Sequence, residues 1–329
     1  MESATLPGLA AFGLGDEMDG GFGIPDRRTF LAGALGTVGL LVAGCDKPSA
    51  SDVTPSPADT APSSLETTAM PSQTTTSATS TRPRPHQPAH NQQASASTII
   101  KRATVPILCY HQLREWKSSD SEYNRVNLIC PPRYFRAHLD ALIDGGWTTI
   151  SPDQYLAHLT KGGRLPKKPV ILSFDDGSSG QVKEGLHQLV KRRMTGVFFV
   201  MTVVLGNSGW MSTRDIKRLA DAGMTIGSHT WDHHAVTDLS GRDWRIQLDQ
   251  SRAALRRASG QLVEHFAYPY GIVSTKAFSH LRHAGYKTGF QLEAKKLDHH
   301  APLYTLRRSI VVSTWSGAAL LKHLAKHRP

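Results

Sequence analysis

The stretch Val170-Ile-Leu-Ser-Phe-Asp-Asp-Gly177 decides the fold of this chain. It is a short apolar run that ends in two carboxylates and a glycine, and Lys167-Lys168-Pro169 precedes it. Such a run is typical of a buried strand in a parallel sheet. Polar residues at the carboxyl end of such a strand lie where α/β folds place their chemistry. The sequence therefore predicts an α/β domain with a functional site at the end of this strand.

The two adjacent carboxylates at this strand end predict two acids with different roles. Neighbouring side chains on a strand point in opposite directions, so Asp175 and Asp176 can act on one group only if the backbone turns there. Gly177 permits such a turn. The alternative is that one Asp simply caps the following helix, which is common in α/β proteins. This stretch alone does not separate the two interpretations.

A second strand that ends in polar residues is Met224-Thr-Ile-Gly-Ser-His-Thr-Trp-Asp-His-His234. His229 and His233 are four residues apart, and on a helical turn this spacing would place both imidazoles on one side. Imidazole is the common neutral ligand of zinc-like ions, and Asp176 would complete a facial set with open positions for water and substrate. The pair by itself is weak evidence, because the chain contains 16 His residues.

Taken together, Ser173-Phe-Asp-Asp-Gly177 and Ser228-His-Thr-Trp-Asp-His233 resemble the motifs of the polysaccharide deacetylases. These are metal-dependent hydrolases, of the family 4 carbohydrate esterase type, that remove acetyl groups from N-acetylated sugars in chitin, peptidoglycan and biofilm poly-N-acetylglucosamine. The resemblance covers roughly residues 104–329. It implies an N-acetylated polysaccharide as substrate, with acetate as one product.

The resemblance also assigns roles to residues of the two motifs. It implies that Asp175 is the general base. It implies that a divalent metal, which we expect to be zinc with cobalt and nickel as alternatives, is held by three ligands: Asp176, His229 and His233.

The predicted first strand of the domain ends in Tyr110-His111. This pair resembles the arrangement in the poly-N-acetylglucosamine branch of the family, where a His near the domain start is the general acid, so we assign that role to His111. The alternative acid is His323, in Leu320-Leu-Lys-His-Leu324. That segment has the pattern of an amphipathic terminal helix with His323 on its polar side, which favours a solvated residue.

The segment His265-Phe-Ala-Tyr-Pro-Tyr-Gly271 resembles the third motif of the family, in which the amide of Tyr270 is expected to donate to the oxyanion. Many members carry an Arg where this chain has Ala267. Arg308 is our candidate for the missing guanidinium, because a fixed Arg can keep a carboxylate ionised and correctly oriented. The alternative, a solvated strand edge at Arg307 and Arg308, stays open.

Predicted strands and helices alternate from about residue 105 onward, which indicates a parallel sheet or barrel. Periodicity alone does not choose between the two. The resemblance implies a distorted (β/α)7 barrel-like fold for a single catalytic domain at residues 104–329.

The first 45 residues are predicted to be an export signal. Asp26-Arg27-Arg28-Thr-Phe-Leu31 resembles a twin-arginine signal, and Val42-Ala-Gly-Cys45 resembles a lipoprotein cleavage box. We therefore expect lipid on Cys45 and attachment to the outer face of a bacterial cytoplasmic membrane, or release outside the cell. No Lys or Arg precedes Arg27 and several acids do, so translation from Met18 is an alternative.

Residues 46–103 are predicted to be a disordered tether. Ser, Thr, Pro, Ala and Gln dominate most of this segment, and few large apolar side chains occur in it. Such a composition buries too little surface to offset the loss of chain entropy. The tether would separate a catalytic domain from a membrane anchor.

The charge and the cysteines restrict the partners of the domain. The formal net charge of +11 favours contact with anionic surfaces, whereas the absence of a basic helix or aromatic-basic stripe argues against nucleic acid. We expect a monomer. Cys109 and Cys130 could form a disulfide in an exported protein, but a buried free thiol at Cys109 is an equal alternative.

Two other functions remain compatible with this sequence. One is a carbohydrate-binding lipoprotein that retains the scaffold without catalysis, and the other is an esterase or amidase that acts on a different acylated substrate. The complete set of predicted ligands argues against the first.

Overall fold

The computed structural model describes residues 94–292 and 295–326. The predicted export signal, including Cys45, and the first part of the predicted tether lie outside these residues. The predicted end of the tether at residue 103 is wrong, because Ala96–Arg102 form a helix, α1, capped by the Ser95 hydroxyl, which accepts from the Thr98 amide. Ile99 of this helix is buried. The last residues of the predicted tether thus bury apolar surface, which the Ser-rich part of the tether lacks.

The strands of the domain are these, in chain order: β1 (Ile107–Tyr110), β2 (Gln112–Leu113), β3 (Ile129–Cys130), β4 (Thr148–Thr149), β5 (Pro169–Asp176), β6 (Val197–Val200), β7 (Thr225–Ser228), β8 (His265–Ala267), β9 (Thr288–Leu292) and β10 (Leu306–Ile310).

The helices after α1 are these: α2 (Glu122–Asn127), α3 (Pro132–Asp144), α4 (Pro152–Lys161), α5 (a π-helical start Gln181–Leu186 that continues as His187–Lys191), α6 (Thr213–Asp221), α7 (a π-helical start Arg245–Gln250 that continues as Ser251–Ser259), α8 (Thr275–Ala284) and α9 (Gly317–Lys326). Short 3₁₀ turns cover Pro269–Gly271 and Pro302–Tyr304. No helix in the described part of the chain has the length and apolarity needed to cross a membrane.

The main sheet is a closed parallel barrel, which confirms the predicted distorted (β/α)7 architecture. Its strand order is β1-β10-β9-β8-β7-β6-β5, and β1 also pairs with β5, so the sheet closes on itself. The short strand β4 pairs with the first two residues of β5, Pro169 and Val170, ahead of the residues that pair with β1 and β6. One register pair, Ser228↔Phe266, joins β7 to β8, and this sparse pairing is where the barrel departs most from a regular one.

Strand β5 is buried along nearly its whole length, as its apolar run predicts. Side chains alternate along it: Leu172 and Phe174 pack with the helices in one apolar cluster, whereas Ile171 joins the barrel interior with residues such as Phe199 and Phe290. The next interior positions on β5 are Ser173 and Asp175. The alternation therefore places Asp175 at the upper end of the interior, above an apolar floor.

The two cysteines of the domain, Cys109 and Cys130, are both buried and both free. The disulfide considered from the sequence is therefore not formed. Cys109 lies at the interior end of β1, and Cys130 lies in the separate two-stranded sheet of β2 and β3.

Candidate active site

The centre of the site is a buried ion pair between Asp175 and Arg308. The Arg308 Nη1 donates to Asp175 Oδ1 at 2.6 Å and Nη2 donates to Oδ2 at 2.8 Å, and the two residues are 1% and 2% exposed. Burial alone would raise the pKa of Asp175, but the charge and hydrogen bonds of Arg308, together with the charges of His229 and His111, outweigh that effect, and the pKa lies below its ordinary value. The carboxylate is therefore ionised and fixed in direction by a bidentate contact.

Arg308 reaches this position because it is an interior residue of β10. It follows Leu306, which is part of the apolar barrel interior, at the two-residue spacing of a strand. Arg307 between them is exposed. The alternative of a solvated edge therefore applies to Arg307 but not to Arg308.

Asp176 turns toward the same side of the barrel mouth through an unusual backbone conformation. Its φ is 78° and that of Gly177 is 89°, both in the left-handed region. A Cβ at Gly177 would lie 2.8 Å from Val200 Cγ1, so glycine is required there for space as well as for φ. Asp176 Oδ1 lies 3.5 Å from the Nε2 atoms of both His229 and His233.

The two imidazoles meet in a loop, and the helical turn expected from their spacing is wrong. Thr230 and His233 both have φ of 66°, whereas a right-handed α-helix has φ near −60°. The His233 amide donates to Thr230 Oγ1 at 2.9 Å, and helix α7 holds the loop from outside: Ser251 Oγ donates to the Thr230 carbonyl, and Gln247 Oε1 accepts from the Trp231 amide. The positions of the two rings therefore depend on tertiary contacts.

The orientation of His229 is fixed by its second ring nitrogen. Nδ1 donates to the Ala267 carbonyl at 2.8 Å, which leaves Nε2 directed at Asp176. Such an outer contact is the usual way in which a metal-ligating His is aligned.

The donor set Asp176, His229 and His233 fits a divalent cation. One possible ligand atom from each residue lies within 4.8 Å of the others. The Asp176 Oδ1 atom is buried and has no hydrogen-bond partner among the described residues. Burial lowers the pKa of both His229 and His233 to about 4, so both imidazoles are neutral, as ligands must be. Two neutral imidazoles and a carboxylate form the kind of set that binds zinc with open positions.

His111 lies beside Asp175, as the assigned general acid should. It follows β1, its carbonyl accepts from Gln181 Nε2 at 2.7 Å, and its Nδ1 is buried without a partner in the described part of the chain. A ring nitrogen of His111 falls within 4.8 Å of possible ligand atoms of Asp175 and Cys109. His323 lies on α9, its ring 4.7 Å from that of Trp315, and it is in neither of the two metal-ligand clusters found among the described residues.

Tyr270 forms one side of the open end of the site. Its ring packs edge-on against His233, with centroids 4.5 Å apart, and the residue is 52% exposed. Its backbone, with φ of 58°, belongs to the 3₁₀ turn Pro269–Gly271, where the amides of a first turn have no acceptor within the turn. The predicted use of this amide for an oxyanion stays a prediction.

One buried residue of the site, Gln181, was missed in the sequence. Its Nε2 donates to the carbonyls of both His111 and Asp175, where β1 and β5 end side by side. Gly180 allows this approach, because a Cβ there would lie 2.3 Å from the Leu113 carbonyl oxygen. The sequence shows only that Gln181 is a polar residue in the first helical turn after the Asp pair. That observation does not distinguish a buried amide side chain from an exposed one.

Comparison with known proteins agrees with this geometry. The family model for polysaccharide deacetylases matches residues 162–289. The putative polysaccharide deacetylase YxkH of Bacillus subtilis is 26% identical over 219 residues, which is 67% of this chain and 75% of YxkH. The poly-beta-1,6-N-acetyl-D-glucosamine N-deacetylase of Staphylococcus aureus is 26% identical over 182 residues, which is 48% of this chain and 62% of that protein.

A solved structure of IcaB from Ammonifex degensii superposes with a TM-score of 0.55 and 26% sequence identity, and the match covers 69% of this chain and 97% of IcaB. The region matched by the family model, residues 162–289, contains both Asp residues and both His residues of the barrel mouth. The two motifs thus lie in a closed barrel with their side chains together, and this chain is similar to the polysaccharide deacetylases in both sequence and fold.

Proposed function

We propose that this protein is a metal-dependent N-deacetylase that releases acetate from a polymer containing N-acetylglucosamine. One observation carries the proposal: the unpartnered Asp176 Oδ1 lies 3.5 Å from two neutral imidazole nitrogens, beside a second carboxylate that Arg308 keeps ionised. A cation site and a separate free base are the two parts that amide hydrolysis needs.

The two carboxylates have distinct tasks in this proposal. When bound at Asp176, His229 and His233, a divalent cation supplies Lewis acidity to the acetyl carbonyl and lowers the pKa of water. Asp175 accepts the proton of the attacking water. Arg308 keeps Asp175 ionised and directed, and it does so inside the barrel, where it is shielded from solvent.

The remaining groups act on the charge that develops and on the leaving amine. The Tyr270 amide donates to the oxyanion of the tetrahedral intermediate. His111 in its protonated form gives its proton to the departing sugar nitrogen as the carbon–nitrogen bond breaks. The products are acetate and a glucosamine unit with a free amine.

For the polymer we propose poly-N-acetylglucosamine. Tyr110-His111 near the domain start and Ala267 in the third motif both resemble that branch of the family, and the Staphylococcus aureus relative carries that substrate in its name. Such a polymer lies outside the cell, which agrees with the export signal and the lipid anchor on Cys45 that the sequence predicts.

Acetate release from four substrates tests the proposal: poly-N-acetylglucosamine, chitin oligomers, peptidoglycan and acetylated xylan. The purified protein is supplied with zinc, and Asp175→Asn serves as the matched control because it keeps the shape of the side chain but cannot act as a base. We expect release from poly-N-acetylglucosamine that chelators abolish and added metal restores. Release from xylan alone would indicate an esterase, and release from none of the four would indicate a binding protein.

A further inference from the structure

A second group of metal-binding side chains lies next to the first and shares no residue with it: Cys109, His111 and Asp175. Cys109 and His111 are two residues apart at the end of β1, so both side chains point to the interior of the barrel mouth. Asp175 faces them from the neighbouring strand β5. One possible ligand atom from each residue lies within 4.8 Å of the other two, and Cys109 Sγ is 3.5 Å from Asp175 Oδ2.

The donor types of this group differ from those of the first. A thiol, an imidazole and a carboxylate together are typical ligands of zinc, and the sulfur favours soft, thiophilic ions over magnesium or manganese. The His111 Nδ1 atom is buried and makes no hydrogen bond within the described residues, so one donor is already desolvated and without a partner. Cys109 has no role in the proposed hydrolysis.

We propose that Cys109, His111 and Asp175 form a second, inhibitory cation site that is selective for thiophilic divalent ions such as Zn²⁺ and Cd²⁺. The inhibitory part rests on the proposed function, since the cation would occupy the general base and the general acid together. The binding part does not depend on it.

Three features should make cation binding at this site weaker than at the first. Arg308 already holds both oxygens of Asp175, and burial raises the pKa of the Cys109 thiol. A cation that binds Cys109 must displace the thiol proton to solvent, giving one metal–sulfur bond and one released proton. It must also tolerate a cation at the neighbouring site. Only an ion with high affinity for sulfur offsets these costs, so inhibition should require metal in excess of one equivalent.

Cadmium titration of the metal-free full chain tests binding directly, because a cadmium–thiolate bond absorbs in the ultraviolet. All proteins carry Cys45→Ser, so that Cys45 contributes no thiol. Cys130→Ser is the matched control: Cys130 is also buried and free, but it belongs to neither cluster. We expect the band in the parent and in Cys130→Ser and its loss in Cys109→Ser. No band in the parent, or an equal band in Cys109→Ser, would overturn the proposal.

Two further measurements keep the test independent of folding and of the proposed activity. If Cys109→Ser does not fold, His111→Gln should require at least about tenfold more cadmium for the same band, since one ligand is lost; an unchanged titration would overturn the site. In acetate release, excess zinc should inhibit the parent and Cys130→Ser but not Cys109→Ser, each relative to its own rate at one equivalent. Inhibition of equal depth in Cys109→Ser would overturn the inhibitory role. A cadmium band without acetate release from any protein would refute the proposed function and leave the site standing.

Discussion

Replacement of Arg308 by Met should change the charge state of Asp175 and with it both the stability and the pH dependence of the enzyme. Both side chains are buried, and the bidentate contact of 2.6 and 2.8 Å accounts for both oxygens of Asp175. Breaking a buried pair from one side costs about 3–5 kcal/mol if the remaining charge persists. Protonation of Asp175 lets the fold avoid that cost.

The size of the expected loss of activity follows from the opposing effects on the pKa of Asp175. Burial raises this pKa, and Arg308 lowers it more than His229 or His111 does, so without Arg308 the effect of burial predominates. Buried carboxyl groups reach a pKa of about 8–9, so about 1–10% of Asp175 would be ionised at pH 7. We therefore expect Arg308→Met to lose about 10- to 100-fold in kcat/KM at pH 7 and to recover as the pH rises.

Asp175 makes the stability of the fold depend on pH in opposite directions in the parent and in Arg308→Met. In the parent the folded pKa of Asp175 lies below its unfolded value, so its contribution to stability is present above about pH 4 and is lost as the pH falls through the folded pKa. In Arg308→Met the folded pKa lies above the unfolded value. Its contribution is then present below about pH 4 and is lost as the pH rises toward about 8–9.

Two measurements check this prediction. Urea unfolding of the metal-free protein, from about pH 4 to about pH 9, gives the slope of stability against pH. Acetate release over the alkaline range gives the activity. Arg307→Met is the matched control, because Arg307 is exposed on the same strand and its loss should change stability by no more than about 0.5 kcal/mol. An Arg308→Met enzyme with the pH–rate profile of the parent would refute the role of this ion pair.

The other predictions concern the ligands, the general acid and the pH dependence of the metal-free protein. Asp176→Ala should empty the cation site, so elemental analysis showing full metal occupancy would contradict the assignment. His111→Ala should retain metal but lose about 10²–10⁴ in kcat, whereas His323→Ala should react like the parent; the reverse result would move the acid to His323. In the metal-free protein, the pKa of His229 and His233 is about 4 when folded against an ordinary value of 6.5. Each therefore contributes stability that is full above about pH 6.5 and is lost as the pH falls to about 4, on the order of 3 kcal/mol per residue. Urea midpoints that are equal at both ends of this range would contradict the burial of neutral imidazoles.

The sequence contains enough local information to predict the strand that carries Asp175 and Asp176. A continuous apolar run, a charged boundary before it and Gly177 after it are all features of neighbouring residues. The backbone turn that directs Asp176 toward the barrel mouth can also be predicted in part from neighbouring residues, because Gly177 indicates a turn. Local pattern could not show that Asp176 itself adopts a left-handed φ of 78°.

The His loop shows where a local pattern was misleading. A spacing of four residues fits a helical turn, but the loop is shaped by hydrogen bonds from Gln247 and Ser251 on α7. These donors and acceptors are distant in sequence, so the spacing of His229 and His233 carries no information about them. The prediction that the two imidazoles meet was right about the outcome and wrong about the backbone.

Arg308 and His111 could be assigned only by resemblance or as candidates, because their contacts depend on closure of the barrel. Closure joins β1 to β5, and their register ends at Tyr110↔Phe174. The next residues on the two strands are His111 and Asp175, and Gln181 binds both of their carbonyls where the ladder stops. β10 brings Arg308 to the same point from the other side of β1. The strand pairing that closes the fold therefore also sets the distance between the proposed acid and base. A weakened β1–β5 contact should impair proton transfer before it unfolds the domain, because the site depends on the last residues of that ladder and the core depends on all of them.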